Sequence, residues 1–325
     1  MFLAPDGSEL EIADTAAKFL SRAIPLNRLH GTGASPALSA DLRAELAAMG
    51  WFGLVLPEAA GGSGLSAVEH ALFCREVGRH CGPVDILVQG LAAMVSDDSR
   101  LRGAFLAGEQ CVALAVGDGG GLRLLGSHDA ALALHVECDG ARLLDVSEIE
   151  TAARPSLDPA TGMRTIVRGT PRTIAVSSDG DVWSLGQLGV AAMQVGVAES
   201  ALALIVEYAK VRETFGRKIG TYQAVRHACA DMALRGEAAR CQLWSAAAAL
   251  KERRSDAHVH LDAAKHLANR AAVMNADVDI QLHGGIGVTE EHPAHLLLKH
   301  SLLLARLFGS ERTLLARLLH AELDV

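Results

Sequence analysis

Two short segments carry residue types whose spacing could do chemistry. Arg212 to Gln223 reads Arg-Glu-Thr-Phe-Gly-Arg-Lys-Ile-Gly-Thr-Tyr-Gln, and Gln281 to Gly287 reads Gln-Leu-His-Gly-Gly-Ile-Gly. In the first, a guanidinium suits a phosphate, an aromatic ring suits a flat heterocycle, and the amide of Gln223 suits its polar edge. In the second, three glycines remove the side chains that would hold a ligand away, so backbone N–H groups can face phosphate oxygens. Together they make half of a site for a nucleotide. A lone Arg212 reads as a helix-end charge and a lone Phe215 as a core ring. Their joint spacing with Gln223, Gln281, Gly284 and Gly285 puts the ligand reading ahead. His283, inside the second segment, either touches the nucleotide or packs.

These segments, with others along nearly the whole chain, resemble the acyl-CoA dehydrogenases, which use FAD to introduce a 2,3 double bond into acyl-CoA thioesters. The matching stretches are Gly50-Trp51-Phe52-Gly53-Leu54, Leu56-Pro57-Glu58, Gly61-Gly62-Ser63-Gly64-Leu65-Ser66 and Glu76-Val77-Gly78-Arg79. The C-terminal signature is matched by Arg212, Thr214, Phe215, Gly216, Gln223, Gln281, Gly284 and Gly285. The resemblance implies FAD as cofactor, with Arg212, Thr214, Phe215, Gln223, Gln281, His283, Gly284 and Gly285 as its binding residues. In family members these elements reach across a dimer interface to the neighbour's FAD. Ser310 matches a family Thr that touches flavin.

The same resemblance shows what is missing. Where some members carry the Glu that removes the substrate's α-proton, just before a Gly-Thr pair, this chain has Phe308 before Gly309-Ser310. Isovaleryl-type members place that Glu on the preceding long helix, at a position that falls near Gly186, and no acidic residue occurs from Val182 to Ala198. Met193 stands where many related bacterial chains have Glu. A thioester α-proton is weakly acidic, and a positioned base is worth on the order of 10²–10⁴ in rate. Glu199, Glu207, Glu290 and Glu291 are substitutes by type, but each reads better as a solvated charge. The family's Thr-Glu-Pro-x-x-Gly-Ser-Asp segment is also absent after Cys111. The implied role is a subunit of a heteromeric, two-plus-two acyl-CoA dehydrogenase whose related partner chain supplies the base, thioester pocket and flavin wall. Such assemblies resemble actinobacterial enzymes acting on steroid side-chain CoA thioesters. Two alternatives stay open: a flavin-free structural partner, or a self-sufficient homo-oligomer with a relocated base such as Glu199.

The expected fold is mostly α with a small β domain. Residues 1–108 form an N-terminal helical domain, with three helical segments before Cys111 and Ser39 capping one of them. Residues 109–181 form a shortened β domain, with strands at Ala130 to Val136 and Thr165 to Val167. Its turns fall at Asp118-Gly119, Asp139-Gly140 and Asp179-Gly180, and the Gly119-Gly120-Gly121 run is a turn rather than a phosphate loop. Residues 182–325 form a bundle of four long helices that contacts FAD and is the oligomer core. Its stripes are Leu188, Ala191, Val195, Ala198, Leu202, Ile205 and Ala209, then Tyr222, Val225, Cys229, Met232, Gly236, Ala239, Leu243, Ala246 and Leu250. Ser255-Asp256 caps the third helix, and Pro293 opens a fourth that carries residues up to Leu307. A last helix runs through Leu314, Leu315 and Leu318.

At 325 residues and 50% apolar the chain can bury a sizeable core, and its formal charge of −8 argues against a nucleic-acid surface. Six scattered cysteines read as reduced, mostly buried thiols of a cytoplasmic protein. The histidine spacings give no metal site, and no apolar run reaches the length of a membrane span.

Overall fold

The computed structural model describes residues 4–30, 38–117, 119, 121–178 and 180–321. The first layer is α1 (Gly7–Ala23), α2 (Ala40–Ala48), α3 (Ala67–Arg79), α4 (Asp85–Val95) and α5 (Ser99–Leu106). Among the described residues five α-helices precede Cys111 rather than three; α2 is the helix expected behind Ser39, whereas α5, at 8 residues, is too short to stand out by periodicity. Ser39 does cap α2, its hydroxyl accepting from Leu42 N–H at 3.2 Å. Ser66 and Glu69 form a reciprocal cap at the start of α3, which lays Ala71, Leu72 and Val77 into the core.

Next comes a seven-stranded sheet: β1 (Val112–Gly117), β2 (Leu122–Leu125), β3 (Leu132–Glu137), β4 (Gly140–Asp145), β5 (Glu150–Arg154), β6 (Met163–Arg168) and β7 (Arg172–Ser177). The order is β5-β6-β2-β1-β3-β4-β7. Every pairing is antiparallel except β1 with β3. Asp118, Gly120 and Asp179 of the expected turns lie outside the described residues.

The third unit is α6 (Asp181–Val211), the hairpin β8 (Glu213–Thr214) and β9 (Arg217–Lys218), α7 (Gln223–Lys251), α8 (Ala257–His283), α9 (Ala294–Leu304) and α10 (Glu311–Leu318). Three helices are long, but α9 is 11 residues. It ends at Leu304 and not near Leu307, because the chain turns to place Phe308 and Gly309 at positive φ. By length and composition α6 could cross a membrane. Here its apolar faces are buried instead, against α3, α7, α8 and α9. At the α3–α6 crossing, a Cβ on Gly196 would collide with the Arg75 carbonyl, and one on Gly78 with the Met193 backbone. These two glycines let the helices touch backbone to backbone, so the small residues of α6 serve packing within this chain.

All six cysteines are free, but only Cys74 and Cys81 are buried, with Cys138 and Cys241 exposed. Cys111 and Cys229 are half-buried against the core, so the expectation of mostly buried thiols fails outright only for Cys138 and Cys241.

Candidate functional site

The Arg212 segment is an arm. It leaves the C-terminus of α6 and turns back at once: Thr214 pairs with Arg217, leaving Phe215 and Gly216 as a two-residue turn with φ of +50° and +75°. Two positive φ values give the twist that a tight hairpin needs, and glycine supplies one without cost. Phenylalanine at φ +50° is strained, and its ring is 98% exposed, so packing within this chain returns nothing for that strain. The arm itself is stiff. The Tyr222 hydroxyl donates to the Thr214 carbonyl at 2.9 Å, the Arg217 guanidinium lies 4.0 Å over the Tyr222 ring, and Ile219 N–H returns to the Arg212 carbonyl at 2.9 Å. Arg212 and Gln223, at the two ends of the arm, are exposed. Among the described residues the Arg212 guanidinium has no ion-pair partner.

The Gln281 segment ends α8. Gln281, Gly284 and Gly285 are exposed, Gly284 has φ +68°, and a Cβ on Gly284 or Gly285 would meet open space. The two segments are brought together by rings. Tyr208, one turn before Arg212, lies 4.4 Å from the His283 ring, which lies 4.2 Å from His292. His283 is thus buried between neighbours, with Nδ1 2.8 Å from the Asp279 carbonyl and 3.0 Å from Asp279 Oδ1. Burial would lower the His283 pKa, but the side chain and carbonyl of Asp279 outweigh it and raise it. Burial also raises Asp279. Burial, then the charges of His283, His30 and His295, pushes His292 down to about 4. Beside the arm, Val206, Ala209, Val225 and Cys229 floor a groove of about 450 Å³ rimmed by Lys218 and Arg226.

The base position is the opposite kind of place. Gly186 and Phe308, 122 positions apart in the sequence, meet: a Cβ on Gly186 would collide with the Phe308 ring. That ring is 6% exposed and tilts on Trp183 at a centroid distance of 5.6 Å. Arg317 lies 5.8 Å over Trp183 and grips Asp262 with two nitrogens, while Gln187 donates to the same carboxylate at 2.8 Å. The segment leading to Phe308 is held by buried Lys265, whose Nζ donates to Leu304 O at 3.1 Å and Asn269 Oδ1 at 2.6 Å. Burial without a counter-charge pushes the Lys265 pKa down to about 7. The cleft left between β1, β3, Trp183 and Phe308 is about 170 Å³, below the roughly 300 Å³ at which small-molecule sites begin.

The candidate replacement carboxylates are committed elsewhere. Glu199 takes hydrogen bonds from Arg75 at 2.9 Å and Arg79 at 2.6 Å, with Arg240 at 4.0 Å, tying α3, α6 and α7 together. Glu207 pairs with Lys210 at the surface, and Glu290 and Glu291 are exposed. Ser310 caps α10, accepting from Thr313 N–H at 3.3 Å. The sequence reading missed Trp183, Lys265, Asp262 and Arg317, which fix Phe308, and Tyr208 and His292, which fix His283. Only Tyr208 left a signal, one helical turn before Arg212.

A helical layer, a central sheet and a long-helix bundle bearing an outward arm are the architecture of the acyl-CoA dehydrogenase fold, a class of flavoprotein. Residues 7–98 match the acyl-CoA dehydrogenase N-terminal domain and residues 184–322 the acyl-CoA dehydrogenase C-terminal domain. The chain belongs to the acyl-CoA dehydrogenase family. It is 34% identical to the acyl-CoA dehydrogenase IpdE2 of Mycobacterium tuberculosis over 278 residues, 82% of this chain and 81% of that protein. It is also 34% identical to FadE34 of the same organism over 279 residues, 79% of this chain, yet it spans only 38% of that longer relative. Among solved structures, a variant of the Tcur3481-Tcur3483 steroid acyl-CoA dehydrogenase superposes with a TM-score of 0.78 at 25% identity, covering 96% of this chain and 97% of that one.

Proposed function

We propose that this chain is the subunit of an FAD-dependent acyl-CoA dehydrogenase that grips the nucleotide while a related partner chain supplies the base. The substrate class is a steroid side-chain CoA thioester, the assembly a two-plus-two heterotetramer, and the location cytoplasmic. The observation that carries the reading is the Phe308 ring seated on Gly186: both places where a proton acceptor would stand are apolar and mutually filled. The steroid assignment draws on the Tcur3481-Tcur3483 similarity.

The residues present fit FAD. Arg212 is exposed without an ion-pair partner among the described residues and suits the pyrophosphate. The open main chain at Gly284 and Gly285 suits its oxygens, and the exposed Phe215 ring suits a flat base. FAD held there would supply the acceptor for the hydride that leaves the β-carbon of the acyl group. This chain's own part is to hold and orient. Gln223 and Gln281 offer amide hydrogen bonds, and Thr214, whose carbonyl is engaged by Tyr222, sets the pitch of the hairpin. Leu267, Met274 and Leu302, exposed on α8 and α9, give an apolar face for the partner.

The test is purification through a tag on this chain from cells that also make its partner, followed by a flavin count and an acyl-CoA oxidation assay with an artificial electron acceptor. A yellow complex that loses flavin on Arg212→Ala and oxidises a steroid acyl-CoA is expected. A colourless complex of normal composition would instead make the chain a flavin-free structural partner.

A further inference from the structure

Beneath the exposed glycine loop lies a buried group of polar side chains that the nucleotide contacts leave unused. His283 and Asp279 have side chains fully out of solvent, one turn apart on α8. The Nδ1–H of His283 points at the Asp279 main-chain carbonyl, 2.8 Å away, so the carboxylate 3.0 Å from the same nitrogen is left without a well-aligned hydrogen bond. Among the described residues His283 Nε2 also has no hydrogen-bond partner. Buried polar groups left in this state are costly, so α8 would not hold them for stability alone.

Their neighbours say what they hold. Tyr208 belongs to the last turns of α6, four residues before Arg212. His283 directly precedes Gly284. His292 accepts from Ala294 N–H at 3.2 Å and so fixes the start of α9. The three rings form a triangular cluster, His283 tilted against both others and Tyr208 meeting His292 edge-on at 6.5 Å. The cluster therefore joins the root of the Arg212 arm, the root of the glycine loop and the next helix.

We infer that His283, held by Asp279, is a positioning residue: it sets the spacing between the Arg212 arm and the Gly284–Gly285 loop and does not itself touch the nucleotide. This rests on the nucleotide-gripping role proposed above. The groups facing His283 are Tyr208 from α6, Asp279 on its own helix, and His292 ahead of α9. Cys229 of α7 faces Asp279, and His30 and His295 face His292. With Asp279 beside it, His283 holds its proton to higher pH than an ordinary imidazole.

The experiment uses the tagged complex with its partner and compares Asp279→Asn, His283→Phe and Arg212→Ala. It reads flavin release from pH 5.5 to 8.5, amide hydrogen exchange across residues 284–288, and turnover per bound flavin. Asp279→Asn keeps the size of the side chain and removes its charge; His283→Phe keeps a ring in the cluster and removes the donor. Both should speed flavin release about tenfold at pH 6.5 and speed exchange at 284–288. Arg212→Ala should release flavin without changing that exchange. The inference is overturned if both variants keep wild-type release and exchange while Arg212→Ala sheds flavin. It is also overturned if turnover per bound flavin falls with the release rate unchanged, which would make His283 a direct participant. If Arg212→Ala keeps its flavin, the nucleotide role itself fails, and the exchange at 284–288 still decides whether His283 sets the loop.

Discussion

The Gly186–Phe308 contact and the Arg212 arm are built on opposite terms. Around Gly186 and Phe308, a ring, an indole and a guanidinium stack over a carboxylate that also takes a hydrogen bond from Gln187, and the space left is about 170 Å³. Around Arg212 and Phe215, a strained backbone lifts an aromatic ring into solvent beside a groove of about 450 Å³. The first region gains its free energy from the chain's own fold. The second spends free energy within the fold and recovers it only when something else binds. The Gly186–Phe308 region is closed, while the arm stands open.

The largest expected effect lies in the closed region and depends on pH. Lys265 has an ordinary pKa of 10.5 when unfolded and about 7 in the fold, so between those values the unfolded chain binds the extra proton. Stability should therefore rise with pH across that window, by about 1.4 kcal/mol per unit, and level off below it. Lys265→Met should remove that slope, as read by denaturant unfolding from pH 6.5 to 10 against wild type. Equal slopes would mean that Lys265 keeps its charge in the fold.

Next in size, Phe308→Ala should cost about 3 kcal/mol or more, the usual loss for a buried ring, seen as a lower denaturant midpoint. Gly186→Ala should cost about 1–3 kcal/mol, since its methyl group meets the Phe308 ring. In a Phe308→Ala background the same change should stabilise by roughly 0.5–1 kcal/mol, the ordinary gain of Ala over Gly in a helix interior. A cycle without that change of sign would break the claim that the two positions fill one another. On the open side, Arg212→Ala should weaken flavin retention tenfold or more, the worth of one charge-assisted hydrogen bond, while the melting temperature stays put.

Much of this contrast was legible beforehand in one region and hidden in the other. The arm is local: Arg212, Phe215, Gly216 and Gln223 fall within twelve residues, and their types suffice to suggest a ligand. The long helices were equally plain, because Leu188, Val195 and Ile205 repeat at helical spacing and are all fully buried. The stripe of α7 fades at its start, where Tyr222, Val225 and Cys229 are only half-buried, since that end stands beside the arm's groove. By contrast, that Gly186 receives the Phe308 ring, or that Lys265 anchors the turn after α9, depends on contacts between distant parts of the chain that no periodicity encodes. The sheet order was hidden for the same reason, with β1 pairing in parallel with β3 while β2 lies on its other side.

The smallest effect is the sharpest test of the contrast. Phe215 is 98% exposed, so replacing it with Ala removes almost no buried apolar surface and should change stability by no more than about 0.5 kcal/mol. Both residues pay the same penalty for φ +50°, so backbone strain does not enter the difference. The same substitution in the complex should speed flavin release, because a ring that packs on nothing in this chain is free to pack on a ligand. Thermal melts of the isolated chain and flavin release from the complex, measured on one variant, separate the two contributions. If the melt drops by several degrees, Phe215 is buried against something in the free chain, and the arm belongs with the closed region after all.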